Sequence, residues 1–385
     1  MYSSIYAESK EMYNELVEWR RELHKIPELG LELPKTVSFV KKKMMEWDIP
    51  FETKVNGNSV IGYIGAGDKC LLLRADMDGL PMREESQLSF ASQNGNMHAC
   101  GHDIHTTALL GAAKILKKHE KELKGKIKLL FQPGEETFEG ANAVIAEGVM
   151  DNPRVDAAFA THVASNIPVG TIAYGTMTGT SVFGFKITIT GKGTHGAMPQ
   201  NGIDPINVGV HIYQALQELI ARECAPSKEV TLTIGQFNAG TVSNVIPETG
   251  ILQGTLRTFD NELKQHLIVR IKEIVNHIAN AFHAKSTVEV LTDIPVLCCD
   301  EKRNMEIAKA LSSMNAKFNI VSGLHTTGSD DFAVFADKVP ASYFMIGAKA
   351  DSDNIYAHHN PKVCFNEQAL PIEAAVYSCV ALEWE

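Results

Sequence analysis

The sequence lacks a basic excess: 36 lysines and arginines stand against 46 aspartates and glutamates, a formal net charge of −10. Nucleic-acid binders usually carry the opposite balance, so no nucleic-acid partner is expected, and acidity otherwise speaks mainly for solubility. No apolar run reaches the roughly 18 residues of a membrane span, so no membrane partner is expected either. The N-terminal stretch from Met1 to Lys25 is polar and charged, without the apolar segment of a secretory leader. Seven scattered cysteines, an odd number, read as a reduced cytoplasmic protein rather than a disulfide scaffold. There are no internal repeats, no low-complexity segment and no Gly-x-Ser-x-Gly elbow. What is present is 44% hydrophobic residues over 385 positions, enough for a large core in one or two domains.

Hydrophobic periodicity organises the chain. Met1 to His24 and Lys35 to Trp47 read as helices, and Cys70 to Leu73 as a strand buried on both faces that ends in Arg74-Ala75-Asp76-Met77-Asp78. A helix over Thr106 to His119 and a strand over Lys126 to Phe131 follow. Next come a helix over Ala141 to Met150 and a strand over Val155 to Thr161 that ends at His162. This β-α-β-α-β order predicts an α/β fold with a mostly parallel sheet, in which ligands sit beyond the carboxyl ends of the strands. Asp76, Glu135, Glu136 and His162 are expected at such ends.

The texture changes near Gly175. Alternating residues over Ser181 to Thr190 open a β-α-β-β-α-β series that runs to about Leu291, the order of a ferredoxin-like unit. The expected organisation is a discontinuous catalytic domain, 1–177 and 292–385, with an inserted α+β domain over 178–291.

Chemistry concentrates in Met97-His98-Ala99-Cys100-Gly101-His102-Asp103-Ile104-His105 and in Gln132-Pro133-Gly134-Glu135-Glu136. Thiolate and imidazole in a Cys-x-His pair favour zinc, and added carboxylates also admit manganese, cobalt or nickel. Taken alone, the pair equally reads as a buried cysteine beside a solvent histidine. Tied to Glu136 and His162 at neighbouring strand ends, it reads as a metal centre. Adjacent carboxylates at a strand end point in different directions, so one can bind metal while the other moves a proton. Alone, that pair is an acidic turn. A competing reading makes Cys100 a nucleophile with His98, His102 or His105 as its base. Gly191-Lys192-Gly193-Thr194-His195-Gly196 fits a dinucleotide fingerprint only superficially and reads better as a tight turn presenting His195. His358 and His359 each offer a further ligand, and spacing does not choose between them.

These motifs, in this order, resemble the M20 metallopeptidase family and within it the amidohydrolase branch of hippurate hydrolases, N-acyl-amino-acid amidohydrolases and N-acetyldiaminopimelate deacetylases. The resemblance covers nearly the whole chain. It includes Arg21-Glu22-Leu23-His24-Lys25-Ile26-Pro27-Glu28, Arg74 to Pro81, the Met97 to His105 run, Phe131 to Glu136, Asn244-Val245-Ile246-Pro247 and Gly254 to Thr258.

The resemblance implies one or two divalent ions, with Cys100 as the bridge and His102, Glu136, His162 and His359 completing the set. His359 is preferred over His358 because it stands two positions before Pro361. It further implies Glu135 as general acid/base and Asp76 as a carboxylate orienting a ligand. His195 would polarise the scissile carbonyl, and Asn244 and Arg257 would hold the substrate. The implied substrate is a small N-acyl amino acid, and the inserted domain is implied to be a lid and the surface of a homo-oligomer. The lid motif ends in Gln200 where relatives often carry histidine, which bears on the substrate pocket rather than on the ligands. A dipeptidase or aminopeptidase of the same fold, a metal-bound protein without turnover, and a cysteine hydrolase are the alternatives.

Overall fold

The run Cys70-Leu71-Leu72-Leu73 seeds the centre of the larger sheet. In the computed structural model, which describes residues 2–315, 317–351 and 354–384, the strand Cys70–Asp76 is buried at every position. The chain divides into two compact units. One comprises residues 1–178, 298–325 and 330–385; the other comprises 179–297 and 326–329. The second crossing lies past the expected 291/292 because the last strand of the insert runs on to Ile294.

In the first unit an eight-stranded sheet has the order Phe51–Lys54, Ser59–Ile64, Lys126–Gln132, Cys70–Asp76, Ala157–Ala164, Ala341–Gly347, Thr171–Tyr174, Asn319–Ser322. Four of its seven pairings are parallel and three are antiparallel, so the sheet is mostly parallel, as expected. The hairpin Phe51–Lys54/Ser59–Ile64 was not expected. It turns through Val55, Asn56 and Gly57, all at positive φ. The N-terminal helix is interrupted by one residue, giving Tyr2–Glu11 and Tyr13–His24. The helix expected from Thr106 begins four residues earlier and spans His102–Lys118. It is buried along nearly all its length and packs in one core with Leu73, Phe131, Phe159 and the last helix, Ala369–Glu383.

In the second unit the strands Ser181–Thr190, Val230–Ala239, Thr249–Thr258 and Lys285–Ile294 form an antiparallel sheet in which the first strand lies between the third and fourth. That is the strand order of a split βαβ unit. Helices Pro205–Glu223 and Asn261–Ala281 are capped by Asp204 and Asp260. They bury Val208, Ile212, Leu267 and Ile271 against Phe185, Ile187 and Leu252. Among the described residues no helix is long and apolar enough to cross a membrane.

Candidate metal centre

Three loops and one strand bring the ligand-type residues of the first unit together, the third loop carrying His358 and His359. The first loop turns at Gly101, whose φ of +92° precedes the helix at His102. A side chain there would be strained and its Cβ would lie 2.4 Å from Val163 Cγ2, so only glycine lets Cys100 and His102 face the same space. The second loop leaves the strand Lys126–Gln132 through Gly134, at φ +70°, and presents Glu135 and Glu136. His162 lies inside the strand Ala157–Ala164 rather than at its end. The strand continues because it pairs in parallel with Ala341–Gly347, Met345 lying opposite His162.

Ring tautomers are set by what each imidazole touches. His162 Nδ1 donates to Val163 O at 2.7 Å, which leaves the Nε2 lone pair 3.5 Å from Cys100 Sγ. His102 places Nδ1 3.3 Å from Asp78 Oδ1 and Nε2 3.8 Å from Glu136 Oε1. His359 Nε2 is 3.4 Å from Glu136 Oε2. His358 also reaches the cluster, with Nδ1 3.7 Å from Cys100 Sγ, but its Nε2 accepts from Ser165 N–H at 3.2 Å. The His358 proton therefore sits on Nδ1 and faces the thiol. Cys100, Glu136 and His359, then Cys100, His162 and His358, then His102, Glu135 and Glu136 form groups whose ligand atoms lie within 4.8 Å of one another.

Asp76 is engaged differently from the expectation. Asp76 gives one oxygen to His105 Nδ1 at 2.6 Å and the other to the Arg74 guanidinium at 2.6 Å. The ring it orients is thus His105, whose Nε2 in turn accepts from Val163 N–H at 2.9 Å. The carboxylate beside His102 is Asp78, which the motif reading passed over. Asp78 also accepts from the backbone N–H groups of Glu135 and Glu136 at 3.2 and 3.1 Å, tying the acidic loop to the His102 ring. The signal was available: Asp76 and Asp78 are two apart and share one face of an extended chain.

The local field is strongly negative. Asp76, Glu135, Asp330 and Asp331 gather around one fully buried guanidinium, Arg74, and Asp78 and Glu136 lie against His102. Burial opposes charge on His102, but Asp76, Asp78 and Glu136 prevail and raise it to about 10. Burial and the charges of Asp330 and Glu136 push the Glu135 carboxyl well above its ordinary range. Burial and the charges of Glu136 and Glu135 push the Cys100 thiol up, while burial and the neighbouring His105 hold His162 down. The imidazoles set against Cys100 Sγ are those of His162 and His358, not His98, His102 or His105 as the cysteine-hydrolase reading requires, so that reading loses its support.

A cation suits this donor set. The buried His102 Nε2 and Glu136 Oε1 have no hydrogen-bond partner among the described residues. Thiolate, imidazole and carboxylate together match zinc or a neighbouring first-row divalent ion.

The remaining predicted residues belong to the second unit. His195 pairs with Val245 in a two-residue ladder, and its Nδ1 accepts from Ala197 N–H at 3.0 Å, leaving Nε2–H as a donor. Asn244 O accepts from Gly196 N–H at 2.7 Å, so His195 and Asn244 are held side by side. Arg257 Nη1 donates to Ser329 Oγ at 2.5 Å, and among the described residues no carboxylate pairs with this half-buried guanidinium.

Comparison with known proteins agrees with this geometry. The model of peptidase family M20/M25/M40 matches residues 72–383. The N-acetyl-L-cysteine deacetylase of Bacillus subtilis is 38% identical over 92% of this chain and 85% of its own length. The IAA-amino acid hydrolase ILR1-like 2 of Arabidopsis thaliana is 34% identical over 98% of this chain and 87% of its own. The crystal structure of the Bacillus subtilis YXEP protein, described as a dinuclear metal-binding peptidase, superposes with a TM-score of 0.81 at 29% identity. It covers 97% of this chain and 98% of that one. The chain belongs to peptidase family M20/M25/M40 and is a metal-dependent hydrolase.

Proposed function

We propose that this chain hydrolyses the N-acyl amide of small acylated amino acids, releasing a carboxylic acid and a free amino acid. The observation that carries the reading is the chain of overlapping ligand groups Cys100–His162–His358, Cys100–Glu136–His359 and His102–Glu135–Glu136, joined through Cys100 and Glu136, with the buried Glu135 carboxyl among them. Relatives named as an N-acetyl-L-cysteine deacetylase and an IAA-amino acid hydrolase support the substrate class.

Cys100, His102, Glu136, His162 and His359 would hold a divalent ion, which when bound would supply acidity to water and positive charge for the acyl oxygen. Glu135 takes the proton from the attacking water, and its raised pKa suits it to keep that proton and hand it to the leaving amine. Asp78 lies 3.3 Å from His102 Nδ1 and accepts from both backbone N–H groups of the acidic loop, which ties ligand and base to one carboxylate. We assign His195 Nε2–H to the acyl oxygen, and Asn244 and Arg257 to the amino acid's carboxylate, which a planar guanidinium accepts through two parallel bonds.

We further assign the second unit the role of lid and of self-association surface. Its edge strand Val230–Ala239 exposes Phe237, and the helix Pro205–Glu223 exposes Ile206, Val210 and Tyr213. All seven cysteines are free, in keeping with a reducing compartment.

The test is a screen of metal-loaded protein against N-acetyl and N-benzoyl amino acids and dipeptides, with Glu135→Gln as control. Turnover of acyl amino acids that vanishes in the control is the expected result. Turnover of dipeptides alone would replace this reading with the peptidase one.

A further inference from the structure

The two central strands of the larger sheet part company at the metal centre. Cys70–Asp76 and Ala157–Ala164 pair in parallel only as far as Arg74 opposite Ala160. On its outer side each strand stays paired further, to Asp76 opposite Gln132 and to Ala164 opposite Gly347. The sheet therefore opens along one seam, just before Asp76 and His162. Backbone groups on the two lips are buried. An unpartnered backbone group is costly there, so their partners must be accounted for.

Side chains from two helices supply them. At the last rung the Tyr377 hydroxyl donates to Arg74 O at 2.6 Å and accepts from Thr161 N–H at 3.3 Å. In this register the next rung would join Val163 N–H to Asp76 C=O. Instead Val163 N–H goes to His105 Nε2 at 2.9 Å and Asp76 O accepts from Thr106 Oγ1 at 2.9 Å. One lip is thus held by Thr106 and the other by His105, neighbours on the helix His102–Lys118. Tyr377 spans both lips from the last helix. Glu373, one turn earlier, accepts from Thr161 Oγ1 at 2.6 Å and adds a second grip on the strand carrying His162. Tyr377, Thr106 and His105 are all fully or almost fully buried.

We infer that Tyr377 and Thr106 are positioning residues that replace sheet rungs and hold the two central strands apart at a fixed gap, so that His162 stays in register with Cys100 and His102. The inference rests on the metal-centre reading. Without the hydroxyls the lips have two relaxations available, closing on each other or admitting water, and both move His162 relative to the helix that carries His102.

The experiment compares full-length Tyr377→Phe and Thr106→Val with wild type and with Leu382→Ala, a cavity variant on the last helix away from the seam. Zn²⁺ affinity is measured by competition with a chromophoric chelator, alongside melting temperature and amide exchange over Thr161–Val163. Both seam variants should weaken Zn²⁺ binding roughly 10–100-fold, the range for groups that orient ligands. They should also speed exchange of those amides. Leu382→Ala should melt earlier and keep its affinity. The inference is overturned if the seam variants bind Zn²⁺ like wild type, or if Leu382→Ala weakens binding as much as they do. If Tyr377→Phe does not fold, Thr106→Val decides. Wild type that binds no Zn²⁺ would instead sink the metal-centre reading itself.

Discussion

Nε2 of His102 and Oε1 of Glu136 lie 3.8 Å apart, buried, each without a hydrogen-bond partner among the described residues. Two orphaned polar atoms of complementary type facing one another are expensive unless something bridges them, about 1–3 kcal/mol each. A divalent ion held here would supply the missing positive charge to both and to the carboxylates behind them. Adding Zn²⁺ or Mn²⁺ to chelator-treated protein should therefore raise its stability, by about 2.7 kcal/mol at a hundredfold excess over the dissociation constant. His102→Ala should lose that increment. Calorimetric melting checks it, and identical curves with and without metal for wild type would remove the centre.

Glu135 stands beside that cluster with its carboxyl pushed up by burial and by the charges of Asp330 and Glu136. As a base it works ionised, so the acid limb of the kcat/KM profile should climb with pH as this carboxyl gives up its proton. Glu135→Gln keeps the shape and removes the proton acceptor. Turnover should fall by roughly 10²–10⁴ while bound metal, measured by elemental analysis, stays at the wild-type level. Substantial remaining activity would take the base role from this residue.

His195 presents Nε2–H outward because its Nδ1 already accepts from Ala197. If that proton meets the acyl oxygen, His195→Ala should cut kcat by about 10²–10³, the usual cost of a lost oxyanion donor, with metal content unchanged. An effect on KM alone would reassign His195 to substrate binding.

How much of this was legible in the sequence depended on how local the determinant was. Cys100 and His102 are two residues apart, and only Pro133 and Gly134 separate Glu135-Glu136 from a strand, so their grouping needed only a β-α-β pattern. The choice between Asp76 and Asp78 was not local. Both lie on one face of the chain, and which ring each meets is set by where the helix at His102 begins. That start is fixed by the left-handed turn at Gly101, with Val163 leaving no room for a Cβ. The apolar run stops at Thr161, so sequence alone puts His162 at a strand end. The strand goes on because Ala341–Gly347, far along the chain, pairs with it. The seam at Tyr377 was equally hidden, since it lies where a ladder stops, and periodicity reports only where strands run.

His24 offers a test that does not involve bound metal. Its Nδ1 is 2.8 Å from Asp103 Oδ2 and its Nε2 is 3.0 Å from Glu84 Oε1. Both partners are acceptors, so both ring nitrogens donate and the buried ring is an imidazolium. Burial and the nearby Arg20 guanidinium disfavour that charge, but Asp103 and Glu84 outweigh them and raise its pKa above the ordinary 6.5. The folded protein then holds a proton that the unfolded chain releases above that value. The stabilisation is complete below about pH 6.5 and is lost as pH rises through the raised folded pKa. Asp103 works in the opposite sense. Burial opposes its charge, but Arg20 and His24 hold the carboxyl well below its usual range. Its share is present above about pH 3.9 and is lost as pH falls through the depressed value. Metal-free wild type should therefore lose stability from neutral toward alkaline pH. His24→Gln should be less stable near pH 6 and show a flatter alkaline slope. Melting curves in chelator across that range decide it: parallel slopes for the two proteins would mean that the ring is neutral in the fold.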